Sequence, residues 1–419
     1  MRRFATLLLP PIALCAAAFG AQAPERYSLP PDKLQRAIEY AHAGYRLHFA
    51  SEIYAILILT AIVASGLSAK FRDWAEAVSK RRFVQALVFV PLLLVANDIL
   101  DLPANLYAQH LELKFDQSIQ SWRSWFWDWT KSELILLVCA VPLALLLFAV
   151  IRRSPRRWWM YFWLAALPII VAVMYLEPMI IEPLFYRFVP LSGAHPELAG
   201  QLEKLVARGG LAIPPGRMFE MKASEKLNSL NAYVSGFGGS KRVVVWDTTL
   251  QKLTTRETLF VFGHEMGHYV LGHIRNSLIW LSVLLLVLLF LGSHIIRWIV
   301  ARYETRWRIR GMADWASLPL LLLIVAVFSF LTEPLVNGYS RWQEHQADIY
   351  GLEITHGIVT ESSCAAAHSF QVMGEIGLDE PDPNRFIEFW LFSHPSISDR
   401  LSFAETYNPW EKGTPRYVK

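Results

Sequence analysis

The chain has 419 residues, of which 54% are hydrophobic, 18% charged and 13% aromatic, and its formal net charge is +4. This balance excludes a disordered chain and a collagen-like fibre, and it is poor in charge for an ordinary soluble enzyme, where roughly a quarter of residues are charged. Three cysteines, Cys15, Cys139 and Cys364, lie too far apart to read as a disulfide framework or a thiolate metal cluster, and no patch resembles a nucleic-acid footprint.

The amino end carries Arg2 and Arg3, an apolar run over 4–19, and Ala21-Gln22-Ala23. Two readings of residues 1–23 stand open. One is a cleaved signal peptide, against which Pro24 counts. The other is a short retained first membrane helix, interrupted by Pro10 and Pro11. Six further long apolar runs follow, over 53–67, 83–100, 134–151, 158–176, 278–296 and 318–331. With flanking residues, each is long enough to cross a hydrocarbon core of about 30 Å. The chain thus divides into membrane helices and loops over 24–178, a polar region over 179–277, two membrane helices over 278–334, and a second polar region over 335–419.

Basic residues concentrate in the loops 69–82, 152–157 and 297–313. With an amino end that starts inside, alternation makes all three loops cytoplasmic. Segments 101–132, 179–277 and 335–419 then lie on the far side, which is the periplasmic side in a bacterial inner membrane.

In the first polar region, residues 197–208 read as a helix. Residues 241–245 read as a strand, and Gly236, Gly238 and Gly239 before it suggest a hairpin turn. A helix is predicted over 255–271, capped by Thr254 or Thr255 with Glu257 near its start. In the second polar region helices are predicted over 339–354 and 362–374, residues 379–384 read as a loop, and 386–392 is aromatic. The tail from Tyr407 is rich in Pro and Gly and reads as partly mobile.

The central motif is His264-Glu265-Met266-Gly267-His268. Histidines four apart share one helical face, so both imidazoles reach one zinc ion, and Glu265 beside them can take a proton from a zinc-bound water. Two helical histidines hydrogen-bonded at an interface are the plainer reading of the pentapeptide. A catalytic zinc needs a third protein ligand and an open position. Downstream, Glu344-His345-Gln346-Ala347-Asp348 offers Glu344 as that ligand, with His345 as its competitor. Asp348 shares a face with Glu344 and would fix the tautomer of a liganding histidine. His273 reads as a residue of the membrane interface near Arg275, and Met266 and Gly267 as packing choices.

These motifs, with others around them, resemble the integral-membrane zinc metallopeptidases of family M48, of the CAAX prenyl endopeptidase type. The resemblance extends to Asn231-Ala232-Tyr233 with Gly236, to residues 241–248, to Ser393-His394-Pro395-Ser396 with Asp399-Arg400-Leu401, and to Asp101-Leu102-Pro103 with Tyr107. It implies an all-α membrane protein of about seven transmembrane helices around a large chamber, with a small β-hairpin-containing metallopeptidase region and one Zn2+ at one end. It implies peptide or protein substrates cut near their carboxyl termini, beside a prenylated cysteine in eukaryotic members. Carried over, His264, His268 and Glu344 hold the zinc, Glu265 is the base, and Asp348 supports a ligand. Asn231, Ala232 and Tyr233 bind the substrate strand. His394 and Arg400 reach back to stabilise the oxyanion or orient the peptide, a role that rests on the resemblance alone. Eukaryotic relatives present the site to the cytosol, whereas the distribution of basic residues in this chain puts it outside. A non-proteolytic chamber protein with a structural zinc, acting as transporter or chaperone, is the competing reading. Asp98 and Glu133 among the helices would suit it, and the intact base and ligand set favour the enzyme.

Overall fold

A computed structural model of the chain describes residues 26–211, 213–236 and 240–418. The run over 1–23, and with it the count of a seventh helix, lies outside the described residues, as do Gly238 and Gly239 of the expected turn. The longer elements are α1 (Pro31–Ala64), α2 (Leu67–Val78), α3 (Arg82–Lys114), α4 (Trp122–Arg153) and α5 (Trp158–Leu176). They continue through β1 (Phe188–Pro190), α6 (Pro196–Arg208), β2 (Met218–Met221), β3 (Ala232–Ser235), β4 (Arg242–Trp246), α7 (Thr255–Val270) and α8 (His273–Trp307). Last come α9 (Leu318–Thr355), α10 (Ser362–Gly377), α11 (Arg385–Leu391) and α12 (Ile397–Thr406).

Six helices among the described residues are long and apolar enough to cross a membrane. Five of the expected apolar runs sit inside one of them, the run over 53–67 passes the end of α1 at Ala64, and most helices run well beyond their run. Once a helix is nucleated by an apolar run, it continues through any polar sequence that lacks a breaker. The largest extension is α9. Residues 339–354 are not a helix of their own but the continuation of the last span, 38 residues without a break. Pro334 lies inside it, as prolines do in other membrane helices whose neighbours satisfy the freed carbonyl.

The six spans close into a ring: α1 packs on α3, α3 on α4, α4 on α5, α5 on α8, α8 on α9, and α9 back on α1. At one end, an apolar core of Ile62, Phe89, Phe148, Trp158, Ile296 and Trp315 gathers the end of α1, the starts of α3, α5 and α9, and the ends of α4 and α8. The basic loops meet here: Arg72 Nη1 donates to Asp314 Oδ2 at 2.6 Å and to the Arg308 carbonyl at 2.7 Å. At the other end lie the polar regions with a second core, which includes Leu202, Leu205, Val243, Phe260, Phe262, Ile354 and Phe370.

That second end contains a four-stranded sheet in the order β1-β2-β4-β3. β4 pairs antiparallel with β3, Tyr233 opposite Val244, and parallel with β2, Met218 opposite Val243. The expected hairpin is therefore half of a larger sheet. β1 and β2 are three and four residues long, too short to give a readable alternation. β3 is an edge strand. The tail beyond Tyr407 is not loose: the buried Glu353 carboxylate accepts from Tyr407 Oη, the Arg416 and Tyr417 amides, and the Val418 amide at 2.9 Å. A buried carboxylate must be satisfied, and here the chain end does it, which corrects the expectation from composition.

Candidate metal centre and cleft

α7 starts with a full capping box: Thr254 Oγ1 accepts from the Glu257 amide, and Glu257 Oε2 accepts from the Thr254 amide at 2.8 Å. Thr254, not Thr255, is the cap. This fixes where the helix begins, and so which face carries His264 and His268. That face packs against α9 along a seam of glycines. A Cβ on Gly351 would stand 3.0 Å from the His264 amide nitrogen, and one on Gly267 3.0 Å from Tyr350 Cβ. Gly267, read from the sequence as a packing choice, thus packs against α9. The seam brings Glu344 and Asp348, one turn apart on α9, against the two histidines.

His264 Nε2 lies 3.1 Å from Glu344 Oε2, and His268 Nε2 lies 3.3 Å from Glu344 Oε1 and 3.2 Å from His264 Nε2. The three donor atoms fall within 4.8 Å of one another. Glu344 is buried, and its Oε2 has no hydrogen-bond partner despite the nearby imidazole. An orphaned carboxylate oxygen in such a place is costly unless a cation completes it. Two imidazole nitrogens and one carboxylate are also the donor set of catalytic metal sites with an open position. The residues fit a metal. His345 is directed elsewhere, its ring 4.6 Å from that of Phe403.

Behind His264, Asp348 Oδ1 is 2.7 Å from Nδ1. Arg400 grips the same carboxylate with two bonds, Nε to Oδ2 at 3.0 Å and Nη2 to Oδ1 at 2.7 Å, and its guanidinium lies over Phe370. Burial pushes the His264 imidazole down, but the charges and bonds of Asp348 and Glu344 outweigh it and lift its pKa to about 10. The Glu265 carboxyl is raised, chiefly by burial, with Glu344 adding to the shift and the neighbouring histidines opposing it.

A cleft of about 480 Å³ opens in front of this group, lined among others by Asn231, Tyr233, Glu265, His268, Glu344 and His394. Ala232 also contributes. The structure thus brings together His264, Glu265, His268, Glu344 and Asp348 with Asn231, Ala232, Tyr233, His394 and Arg400, but on two sides: Arg400 and Asp348 stand behind His264, and His394 is on the cleft wall with Nε2 3.3 Å from Glu344 Oε2. Sequence reasoning missed Glu177 and Glu182, which also line the cleft. They flank a one-turn π-helix, Glu177–Ile181, at the end of α5, and Glu182 accepts from Tyr233 Oη at 2.7 Å and pairs with Arg242. Nothing in an i,i+5 spacing of glutamates marks a site. It also misplaced His273, which is 3% exposed and packs its ring on that of His268.

A ring of apolar spans with a buried two-histidine, one-carboxylate group at one end defines an integral-membrane metallopeptidase. Residues 193–408 match the profile of peptidase family M48, and residues 20–187 match the CAAX prenyl protease N-terminal region of five membrane helices. The chain belongs to family M48. It is 34% identical to the metalloprotease YhfN of Bacillus subtilis over 393 residues, 94% of this chain and 90% of that one. It is 25% identical to CAAX prenyl protease 1 of Saccharomyces cerevisiae over 335 residues, 76% and 71% of the two chains. The crystal structure of S. mikatae Ste24p has the same fold, with a TM-score of 0.78 at 22% identity over 93% of each chain.

Proposed function

We propose that the protein is a membrane-embedded zinc endopeptidase, with His264, His268 and Glu344 as the zinc ligands and Glu265 as the general base. The observation that carries this is the buried, unpartnered Glu344 Oε2 facing two imidazole nitrogens beside Glu265 in one cleft. Zinc, when bound there, supplies the Lewis acidity that makes water a nucleophile near neutral pH.

The chain's own residues do the rest. β3 is a free sheet edge along the cleft, so Asn231, Ala232 and Tyr233 can hold an extended peptide as an added strand. Glu265 takes the proton of the attacking water and delivers it to the leaving amine, a task that a raised carboxyl pKa suits. His394 on the cleft wall donates to the oxyanion. Arg400 acts through Asp348, holding the carboxylate that orients His264. The name of the yeast relative supports cleavage near a substrate carboxyl terminus. The basic loops, gathered at the end of the ring opposite the cleft, support a periplasmic site in a bacterial inner membrane.

In native membranes, peptides released by the wild type are absent from Glu265→Ala, while zinc content stays the same. An unchanged peptide profile refutes the proteolytic reading and leaves the structural zinc of a transporter or chaperone. An alkaline phosphatase fusion at residue 240 is active if the cleft faces the periplasm and inactive if it faces the cytoplasm.

A further inference from the structure

We infer that His273 is a positioning residue for the metal site: it holds His268 in the tautomer that can bind metal, and takes its own polarity from Gln346. The inference rests on the ligand assignment above. His268 turns Nε2 toward His264 and Glu344, so Nε2 is the coordinating atom. Its lone pair must be free, which puts the ring proton on Nδ1. That Nδ1 lies 3.0 Å from Nδ1 of His273. Two ring nitrogens can share a hydrogen bond only if one carries the proton and the other does not. His273 Nδ1 is therefore the acceptor. Its own proton sits on Nε2, 3.2 Å from Gln346 Oε1, which accepts it.

The chain of bonds is directional from end to end. With the Gln346 amide reversed, each proton moves to the other nitrogen of its ring, His268 carries its proton on Nε2, and coordination is blocked. His273 is held for this work. Its carbonyl accepts from Gln343 Nε2 at 3.3 Å, and Gln343 Oε1 accepts from Ser277 Oγ at 2.9 Å. Gly272, with φ +71°, provides the sharp turn that ends α7 and sets the His273 ring against His268. The two ligand histidines thus have different acceptors: a carboxylate for His264, a neutral imidazole for His268. Gln346 lies two residues from Glu344, so α9 supplies one ligand and orients another.

The test is zinc affinity of the purified full-length protein, by chelator competition, beside thermal unfolding of the metal-free form. His273→Phe weakens zinc about 10- to 100-fold, and His273→Gln, whose amide oxygen can accept from His268, returns to within about 3-fold of wild type. Gln346→Glu, an acceptor only, keeps wild-type affinity, whereas Gln346→Leu loses about 3- to 10-fold. Metal-free unfolding is the same throughout. Wild-type affinity in His273→Phe, or no recovery in His273→Gln, overturns the inference. If His273→Phe does not fold, equal affinities for the two Gln346 variants overturn it. A wild type that takes up no zinc instead sinks the ligand assignment itself.

Discussion

The two ends of the helical ring each bury an arginine–aspartate pair, Arg72 with Asp314 and Arg400 with Asp348, but only one of them sets its pair behind a cleft. At the end with the basic loops, the side chains of Arg72 and Asp314 are each only 4% exposed and bond each other. Arg72 also bonds the Arg308 carbonyl and Asp73, and Asp314 accepts from the Arg310 and Ala316 amides. The Trp315 indole reaches Gln85 Oε1 at 3.1 Å, with Phe89 and Phe148 packed around it, whereas Trp158 Nε1 and Ser68 Oγ at this end have no hydrogen-bond partner. At the cleft end Glu344 Oε2 has imidazole nitrogens of His264 and His394 at 3.1 and 3.3 Å but no hydrogen bond to either. A satisfied network locks structure; an unsatisfied one has affinity left for a ligand.

Four substitutions test this contrast. The largest effect is expected of Glu265→Ala, which lowers peptide cleavage by about 10³-fold, within the range for loss of a general base, with zinc retained by inductively coupled plasma analysis. It removes function from the open end without touching its ligands. Next, Arg72→Met leaves Asp314 short of its charged partner and destabilises the closed end by about 3 kcal/mol, read from denaturant unfolding in detergent. Cleavage per folded molecule stays the same. Third, Gly351→Ala forces α7 and α9 apart at His264 and costs about 1–3 kcal/mol. Unlike Arg72→Met it also weakens zinc binding, because the seam sets the ligand distances.

The smallest effect concerns the start of α7. Glu257 caps the helix and meets His368 Nδ1 at 2.6 Å. The Glu257 carboxyl is lowered: burial opposes the shift, but the His368 bond and the Thr254 cap outweigh it. The His368 imidazole is raised, chiefly by its bond to Glu257. The depressed carboxyl gives stability above its unfolded value of 4.5 that is lost as pH falls through its folded value. The raised imidazole gives stability below its unfolded value of 6.5 that is lost as pH rises through its folded value. The pair is complete between those two unfolded values. Glu257→Gln should lower stability in that window by about 1 kcal/mol and flatten the melting temperature against pH on both sides of it.

Much of the cleft end was legible. The His264–His268 spacing, a threonine cap at 254 or 255 with Glu257 after it, and the apolar runs are local patterns, and the sequence shows them. Glu344 was singled out over His345, but what surrounds the group was not legible. Glu344 and His345 are neighbours in sequence, and only the α7–α9 packing aims the first at the histidines and the second at Phe403. His273 reads as an interfacial residue because its chemistry depends on Gln346, 73 positions away. Arg400 and His394 come within reach through α12 and the loop before it, with no periodicity to announce them.

By itself the sequence determined that the chain crosses a bilayer repeatedly, where the basic loops cluster, and that one helix carries two histidines and a glutamate on adjoining positions. Those properties follow from hydrophobic run length and the helical repeat, which act over a few residues. Only the tertiary structure decided that the last span continues unbroken to Glu344, that an edge strand borders the cleft, and that Asp348 stands behind His264 and His273 behind His268. These depend on side chains far apart in the chain meeting within about 3 Å, and hydrogen-bond direction is settled only where both partners are in place.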